Sequence, residues 1–455
     1  MTGVGTAERI FGRAHRATTA GLLLVMTLAA YEEMAVSTAM PRAVAALHGL
    51  AYYGWPFTAY LVANVVGIVT GGELCDRGGP RRPLLIGLGI FTAGLFVSGS
   101  APLMAAFVGG RAVQGLGSGF VIVAIYVVIA EVYDDRLRPK MFAALSAAWV
   151  LPSLVGPVVS GALTEHLTWR LVFLLIPPFT AAGAVLVLPV LRRLPAHPRA
   201  AAATRLTRWR FALLAAVGIA LLEYAGQRIT PLSLVPLAVG AVLVVPALRV
   251  LLPAGTIRAR PRLPAVIAFR GISAGAFFAV DAYVPLTLTR VHGYQPTAAG
   301  VPLMIGSLGW SAASWWQGRH ADMPRHRYLR VGFTLVAVAA VGMAAVAVPV
   351  APGYAAYAIW LVGGAGMGLV MPSVSVLTLQ LSPEAERGYN SSALQIADVM
   401  TSAVCIGAGG VLVAAAEHGR LSLGHAIGAV DLIMCLFALV GVALAGRVAA
   451  ARGRS

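Results

Sequence analysis

The chain reads as an all-α integral membrane protein of fourteen transmembrane helices, arranged six plus two plus six with two pseudo-symmetric six-helix bundles. Three observations predict this. Only 11% of the 455 residues are charged and 59% are apolar, with a mean hydropathy of +0.82, whereas soluble chains carry about 25% charged residues. Apolar windows of spanning length, about 20 residues, recur near 18–40, 53–72, 83–100, 102–131, 140–163, 168–191, 210–227, 230–251, 263–289, 296–318, 328–350, 353–381, 388–416 and 421–446. A repeat with an offset of 249 pairs Gly115, Gly117 and Gly119 with Gly364, Gly366 and Gly368, Glu32 with Asp281, Arg138 with Arg387, and Gly161 with Gly410.

The basic residues orient this map. With both termini cytoplasmic, 27 of the 34 Arg and Lys fall in inner loops and tails, and five (Arg42, Arg170, Arg228, Arg290 and Arg420) fall outside. That imbalance follows the positive-inside rule. It also accounts for the net charge of +17 without nucleic acid, because the basic residues recur in short loops and form no groove-sized patch. Arg9, Arg13 and Arg16 precede the first apolar run, but Glu32 and Glu33 interrupt it where a signal core is purely apolar. Cys75, Cys405 and Cys435 are odd in number and scattered, which fits neither a disulfide framework nor a zinc site. The repeat divides the chain into a first bundle (1–194), a cytoplasmic linker with two inserted helices (195–255) and a second bundle (256–455).

In chain order, helix 1 carries YEEMAVSTAMP at 31–41, with Glu32 in the span and Glu33 about 100° around the helix. The loop after helix 2, GGELCDRGGPRR at 71–82, is a tight charged hairpin that returns as GRHAD at 318–322. Helix 4 contains RAVQGLGSG at 111–119. An arginine at mid-membrane costs several kcal/mol unless paired, and so marks function by default. The glycines around it let neighbouring helices approach. A phosphate-binding glycine loop is excluded because it needs a preceding strand and an open helix N-terminus. At about 1.5 Å per residue, Glu32, Arg111 and Asp281 lie at similar depths in helices 1, 4 and 9. Burial favours a neutral carboxyl and a nearby guanidinium favours the charged one, a tension suited to loading and unloading a proton. A static ion pair that only fixes packing is the competing reading.

Helix 5 carries LPSLVGPVVSG at 151–161, where Pro157 kinks the helix. The linker 192–210 is Arg-rich, as expected of a solvated inner loop. Asp398 in helix 13 stands near mid-depth one turn after Gln395; Arg270, Glu223, Asp431 and His425 read as structural, with Arg270 snorkelling, Glu223 exposed near a helix end, and Asp431 and His425 peripheral. Gln114, Tyr126, Trp149, Tyr283, Trp310 and Gln395 are candidates for the lining of a central cavity, since aromatic faces accept flat or cationic organic molecules.

These motifs resemble those of the major facilitator superfamily, and in particular its 14-span drug:proton antiporter branch. Gly72, Leu74, Asp76, Arg77, Gly79 and Arg81 match the loop between helices 2 and 3, with Pro80 in place of a usual basic residue. Glu32 stands nine residues before Pro41 where that branch has Asp, and Ser37 replaces the usual Asn. Gly156, Pro157 and Gly161 fit the helix-5 antiporter motif, from which Pro152 and Ser160 depart. VPLTLTRVHGYQPTAAGVPLM at 284–304 and SPEAERGYNSSALQ at 382–395 extend the likeness through the second half.

The resemblance implies a proton-coupled exporter of small amphipathic organic molecules working by alternating access. Glu32, Glu33, Arg111, Asp281 and Asp398 would handle protons, and Asp76 would latch onto the N-terminus of helix 13 together with the rest of its loop. The helix-5 motif would bias the protein to exchange. The expected setting is the bacterial inner (plasma) membrane, as a monomer, with small-molecule cargo and lipid as partners and no metal or cofactor beyond the proton gradient. A lipid or lipid-conjugate exporter is the alternative; a proton symporter and a non-transporting membrane sensor are further ones. No Ser/His/Asp set or metal cluster suggests an enzyme.

Overall fold

A computed structural model describes residues 10–12, 15–194, 208–227, 231–320, 323–383 and 386–452. The linker 195–207, Arg9, Arg13, Arg228 and Asp322 lie outside the described residues, as do the side chains of Arg387 and Gly388. Fourteen long helices form, and no strand appears among the described residues. They are α1 (Arg16–Ala46), α2 (Trp55–Gly78), α3 (Arg81–Gly99), α4 (Met104–Val132), α5 (Arg138–His166), α6 (Leu171–Arg193), α7 (Arg208–Gln227), α8 (Leu234–Leu251), α9 (Leu263–Leu286), α10 (Pro296–Arg319), α11 (Arg325–Ala347), α12 (Ala355–Leu381), α13 (Arg387–Glu417) and α14 (Leu423–Leu444). Thirteen are long and apolar enough to cross a membrane. The exception, α10, has 24 residues but carries Ser307, Ser311, Ser314 and Gln317 among its apolar ones. Ser307 and Ser314 meet backbone carbonyls at 3.1 and 3.0 Å, and Gln317 bonds Ser373, so their polarity is satisfied inside protein.

An even number of crossings returns the chain to the end where it began; we call this the termini end and its opposite the far end. The packing repeats as the sequence does. In the first half α2 and α3 pack on α4, and α1 on α5; in the second, α10 and α11 pack on α12, and α9 on α13. The glycines permit these approaches. A Cβ on Gly117 would fall 2.7 Å from the carbonyl oxygen of Gly87, and one on Gly366 would fall 2.6 Å from that of Gly332. The halves meet at two equivalent seams, α5 with α10 and α2 with α13. Of the inserted pair, α7 packs beside the second seam, against α2 and α13, and α8 packs on α7.

Hydrogen bonds that cross between the halves gather at the far end. Tyr53 donates to the Ala282 carbonyl (3.0 Å), Thr58 to that of Ala403 (3.4 Å), and the Thr297 amide to Glu165 (3.2 Å). Arg42 reaches Gln295 at 3.4 Å. A large apolar core spans both halves there, from Ala35 and Tyr53 to Tyr283 and Ile406. At the termini end, by contrast, a core of Leu84, Ile125, Tyr133 and Met141 belongs to the first half alone. The molecule is thus held closed at its far end.

Candidate functional site

Arg111 stands on α4 among small residues that bring α2 within reach, and its guanidinium is 3% exposed. Four groups meet it. It forms an ion pair with Glu32, which is fully buried. Nη1 also donates to Gln114 Oε1 at 2.9 Å, and Nε donates to the Pro56 carbonyl at 3.3 Å. The Tyr60 ring lies 4.3 Å from the guanidinium carbon, its own hydroxyl turned to Ser118 at 3.0 Å. A buried ion pair survives when further hydrogen bonds satisfy the remaining donors, which Gln114, Pro56 and Tyr60 do. One acceptor is left over: Glu32 Oε2 has no hydrogen-bond partner among the described residues, nor does Gln114 Nε2. Glu33, half-buried, shares its electrostatic surroundings with Glu32, Arg111 and, from the other half, Asp398.

The repeat gives this site a chemically altered twin. Asp281 and Trp360 occupy the positions equivalent to Glu32 and Arg111, and Trp360 Nε1 donates to Asp281 Oδ1 at 2.9 Å. The indole stacks on Phe277 at 4.8 Å between ring centroids, with Trp310 edge-on at 5.9 Å from the same ring. The second half keeps the acid and replaces the cation with a neutral donor. Its own ion pair lies elsewhere: Arg270 on α9 donates to Asp398 Oδ2 on α13 at 2.7 Å, with both side chains less than one-fifth exposed. Arg270 is therefore paired rather than snorkelling.

Several expected positions fall differently. Gln114 is fully buried beneath Arg111 and joins the ion-pair cluster instead of a cavity wall. Tyr283 is also fully buried, its hydroxyl donating to the Ile406 carbonyl at 2.7 Å in the far-end core. Tyr126 is exposed and stacks on Phe142 at 5.7 Å. Trp149 is half-buried against the first-half core, Trp310 is half-buried, and Gln395 is exposed.

In the hairpin after α2, Gly79 takes φ +74°, open to glycine at no steric cost, and ends the helix. Gly72 packs loosely toward Val123, and Arg81 opens α3 exposed. Arg77 reaches Glu73 at 4.0 Å. Asp76 is exposed, with no ion pair or hydrogen bond among the described residues. In helix 5, Gly161 lies so close to α10 that a Cβ would come 2.9 Å from the Pro296 carbonyl, and a Cβ on Gly300 would come 2.7 Å from that of Pro157. Ser160, in place of a glycine, donates to the Ala35 carbonyl at 2.6 Å. Gly156 meets Met34 and Tyr31 at ordinary contact distance.

Glu223 reverses its expectation. It is buried on α7, 4% exposed, where the inserted helix meets both α2 and α13. Asp431 on α14 is likewise buried rather than peripheral. Neither was visible in the sequence, because helix-end counting locates a residue along the membrane normal and says nothing about which neighbours cover it.

The sequence profile of the Major Facilitator Superfamily matches residues 22–406. This chain belongs to the major facilitator superfamily. Among its relatives, a Mycobacterium tuberculosis protein named "Probable multidrug-efflux transporter" is 28% identical over 425 residues, covering 88% of each chain. Multidrug resistance protein 3 of Bacillus subtilis is 26% identical over 308 residues, covering 63% of this chain and 58% of its own. The fold is similar to that of a solved POT family transporter, with a TM-score of 0.71 at 13% identity over 94% of this chain and 97% of that one. A second, a peptide transporter POT structure, gives 0.69 at 15% identity over 94% of each chain. The molecule is a multi-span membrane transporter with multidrug-efflux relatives.

Proposed function

We propose that this transporter couples proton uptake to the export of small amphipathic organic molecules by alternating access. The observation that carries this is the buried Glu32–Arg111 pair with a spare carboxylate oxygen on the Glu32 side. A proton arriving at Glu32 cancels its charge, and Arg111 loses its counter-ion while remaining buried. Removing one partner of a buried pair costs about 3–5 kcal/mol, enough to drive a rearrangement toward a state where Arg111 finds another anion or water. Glu33 is the nearest substitute on the same helix. The proton enters from outside and leaves to the cytoplasm, where the pair reforms and a new passenger can bind. A cationic passenger competes with Arg111 for the same carboxylates, so passenger and proton alternate. The exposed aromatic pair Tyr126–Phe142, with Trp310 across the repeat, offers flat apolar faces for such a passenger.

The basic loops support a termini end in the cytoplasm of a bacterial plasma membrane; the far end, held closed, is then outside, which supports an inward-open reading of this state. Efflux relatives support export, and the α5–α10 glycine contact supports exchange by sealing one side. The test is transport of an ethidium-like cation into inverted vesicles under an imposed pH gradient. Glu32→Gln is expected to abolish gradient-driven accumulation with the protein still folded, because Gln114, Pro56 and Tyr60 still hold Arg111. Undiminished accumulation would remove Glu32 from the mechanism.

A further inference from the structure

The inserted helix α7 brings a second buried acid to the seam between the halves. Glu223 lies one helical turn before the far end of α7. Its carboxyl sits over three glycines contributed by both halves. A Cβ on Gly54, just before α2, would lie 3.0 Å from Glu223 Oε1; one on Gly407 of α13 would lie 3.3 Å from Oε2; one on Gly410 would lie 3.5 Å from Oε1. Gly410 is the repeat equivalent of Gly161, so both seams close on the same glycine; the acid at the first seam, Glu165, accepts from the Thr297 amide at 3.2 Å, whereas Glu223 is buried with neither oxygen so held.

Neither carboxylate oxygen has a hydrogen-bond partner among the described residues. The surrounding polar groups are already committed. Thr58 on α2 gives its proton to Ala403 (3.4 Å), Tyr283 on α9 to Ile406 (2.7 Å), and Tyr53 before α2 to Ala282 (3.0 Å). Tyr53 and Tyr283 are the titratable groups that face Glu223 from neighbouring elements. The nearby Cys405 of α13 turns toward Gly275 on α9. No Arg, Lys or His faces the carboxyl among the described residues. The Thr58 hydroxyl stands beside the carboxyl although it turns to Ala403; a carboxylate enclosed with no cation is far costlier than a neutral acid.

We propose that Glu223 is a proton-binding site that locks the outer gate, separate from the coupling site at Glu32. With a proton aboard, the carboxyl seats in the glycine cradle and the α2–α13 seam shuts. When that proton returns to outside water, the ionised group draws solvent in and the seam parts. The proton enters and leaves on the same face, so it regulates opening without being transported. External acid therefore favours closure. The inference rests on the alternating-access reading above.

The test places spin labels at Tyr52→Cys and Glu417→Cys, exposed positions at the outer ends of α2 and α13, in the full chain in nanodiscs, and follows their separation with pH. The closed-to-open ratio should fall by up to about tenfold per pH unit as pH rises through the titration. Measured in a Glu32→Gln background, which removes the coupling site's own titration, that slope should persist, and adding Glu223→Gln should hold the gate closed at every pH. Adding Glu223→Ala instead, which removes the acid altogether, should be equally flat and guards against a folding defect peculiar to the amide. A slope in both Glu223 variants equal to that of the Glu32→Gln parent overturns the gating site alone. A separation that stays short in every variant, at every pH and with ethidium present, overturns alternating access along with it.

Discussion

Arg111 is the residue on which the first half turns, and its removal should be costly in a specific way. Arg111→Ala leaves Glu32 ionised or unbonded in a dry interior and should lower stability by about 3–5 kcal/mol, read as a fall in thermal unfolding temperature in detergent. Adding Glu32→Leu to that variant should restore part of the loss, since no buried charge is then left unpaired and only the cavity where the arginine stood remains. If the double variant is no more stable than the single one, the pair contributes nothing through charge. Trp360→Phe tests the twin. It strips Asp281 of its donor and should cost about 1–3 kcal/mol, less than the Arg111 change because no formal charge loses its partner. Much of this chemistry was legible in the sequence: an intramembrane arginine has to be paired, and the acids available at its depth were few. Pairing partners that depend on which helix covers which face were not legible. Arg270 and Asp398 are 128 residues apart in sequence and meet only because α9 packs on α13.

Among the elements, α5 and α10 carry the seam that must open and close. Gly161→Val would drive a branched side chain into the Pro296–Thr297 backbone, so the far end should no longer shut. Transport should fall at least tenfold while the protein remains in the membrane; cysteine-accessibility labelling at the outer ends of α5 and α10 would show persistent exposure. Normal transport would mean that this contact is not part of the gate. In the α2–α3 hairpin, Gly79→Ala should cost about 1–3 kcal/mol, because φ +74° with ψ 172° is open essentially to glycine alone, without altering cargo affinity, as ligand titration would show. The helices themselves were easily read, since fourteen apolar windows correspond to fourteen helices. The more polar α10 was read from its window at 296–318 like the others, its four polar side chains being too spread out to break the apolar run. The buried setting of Glu223 was missed for a physical reason: hydropathy treats α7 as a helix facing lipid, while the structure presses its outer turn into a seam that only tertiary contact creates.

For the whole molecule, the two states must differ in where the halves touch. The hydrogen bonds between the halves lie at the far end, and Asp76 has no ion pair or hydrogen bond among the described residues, so a latch at Asp76 would act in the opposite state. Asp76→Asn should destabilise only that state and slow transport several-fold, measured as exchange of labelled cargo across proteoliposomes; an unchanged rate would refute the latch. The repeat makes the two halves nearly interchangeable in outline, yet the arginine–glutamate pair exists once and the tryptophan–aspartate bond once. The inserted helices deepen that inequality. Because α7 leans on α2 and α13 and carries α8 on its back, the pair screens one of the two clefts between the halves from the surrounding hydrocarbon and leaves the other, beside α5 and α10, bare among the described residues. A greasy compound diffusing within the leaflet therefore meets a machine with a single unshuttered side door, and its route to the centre is set by this asymmetry before any binding group is touched.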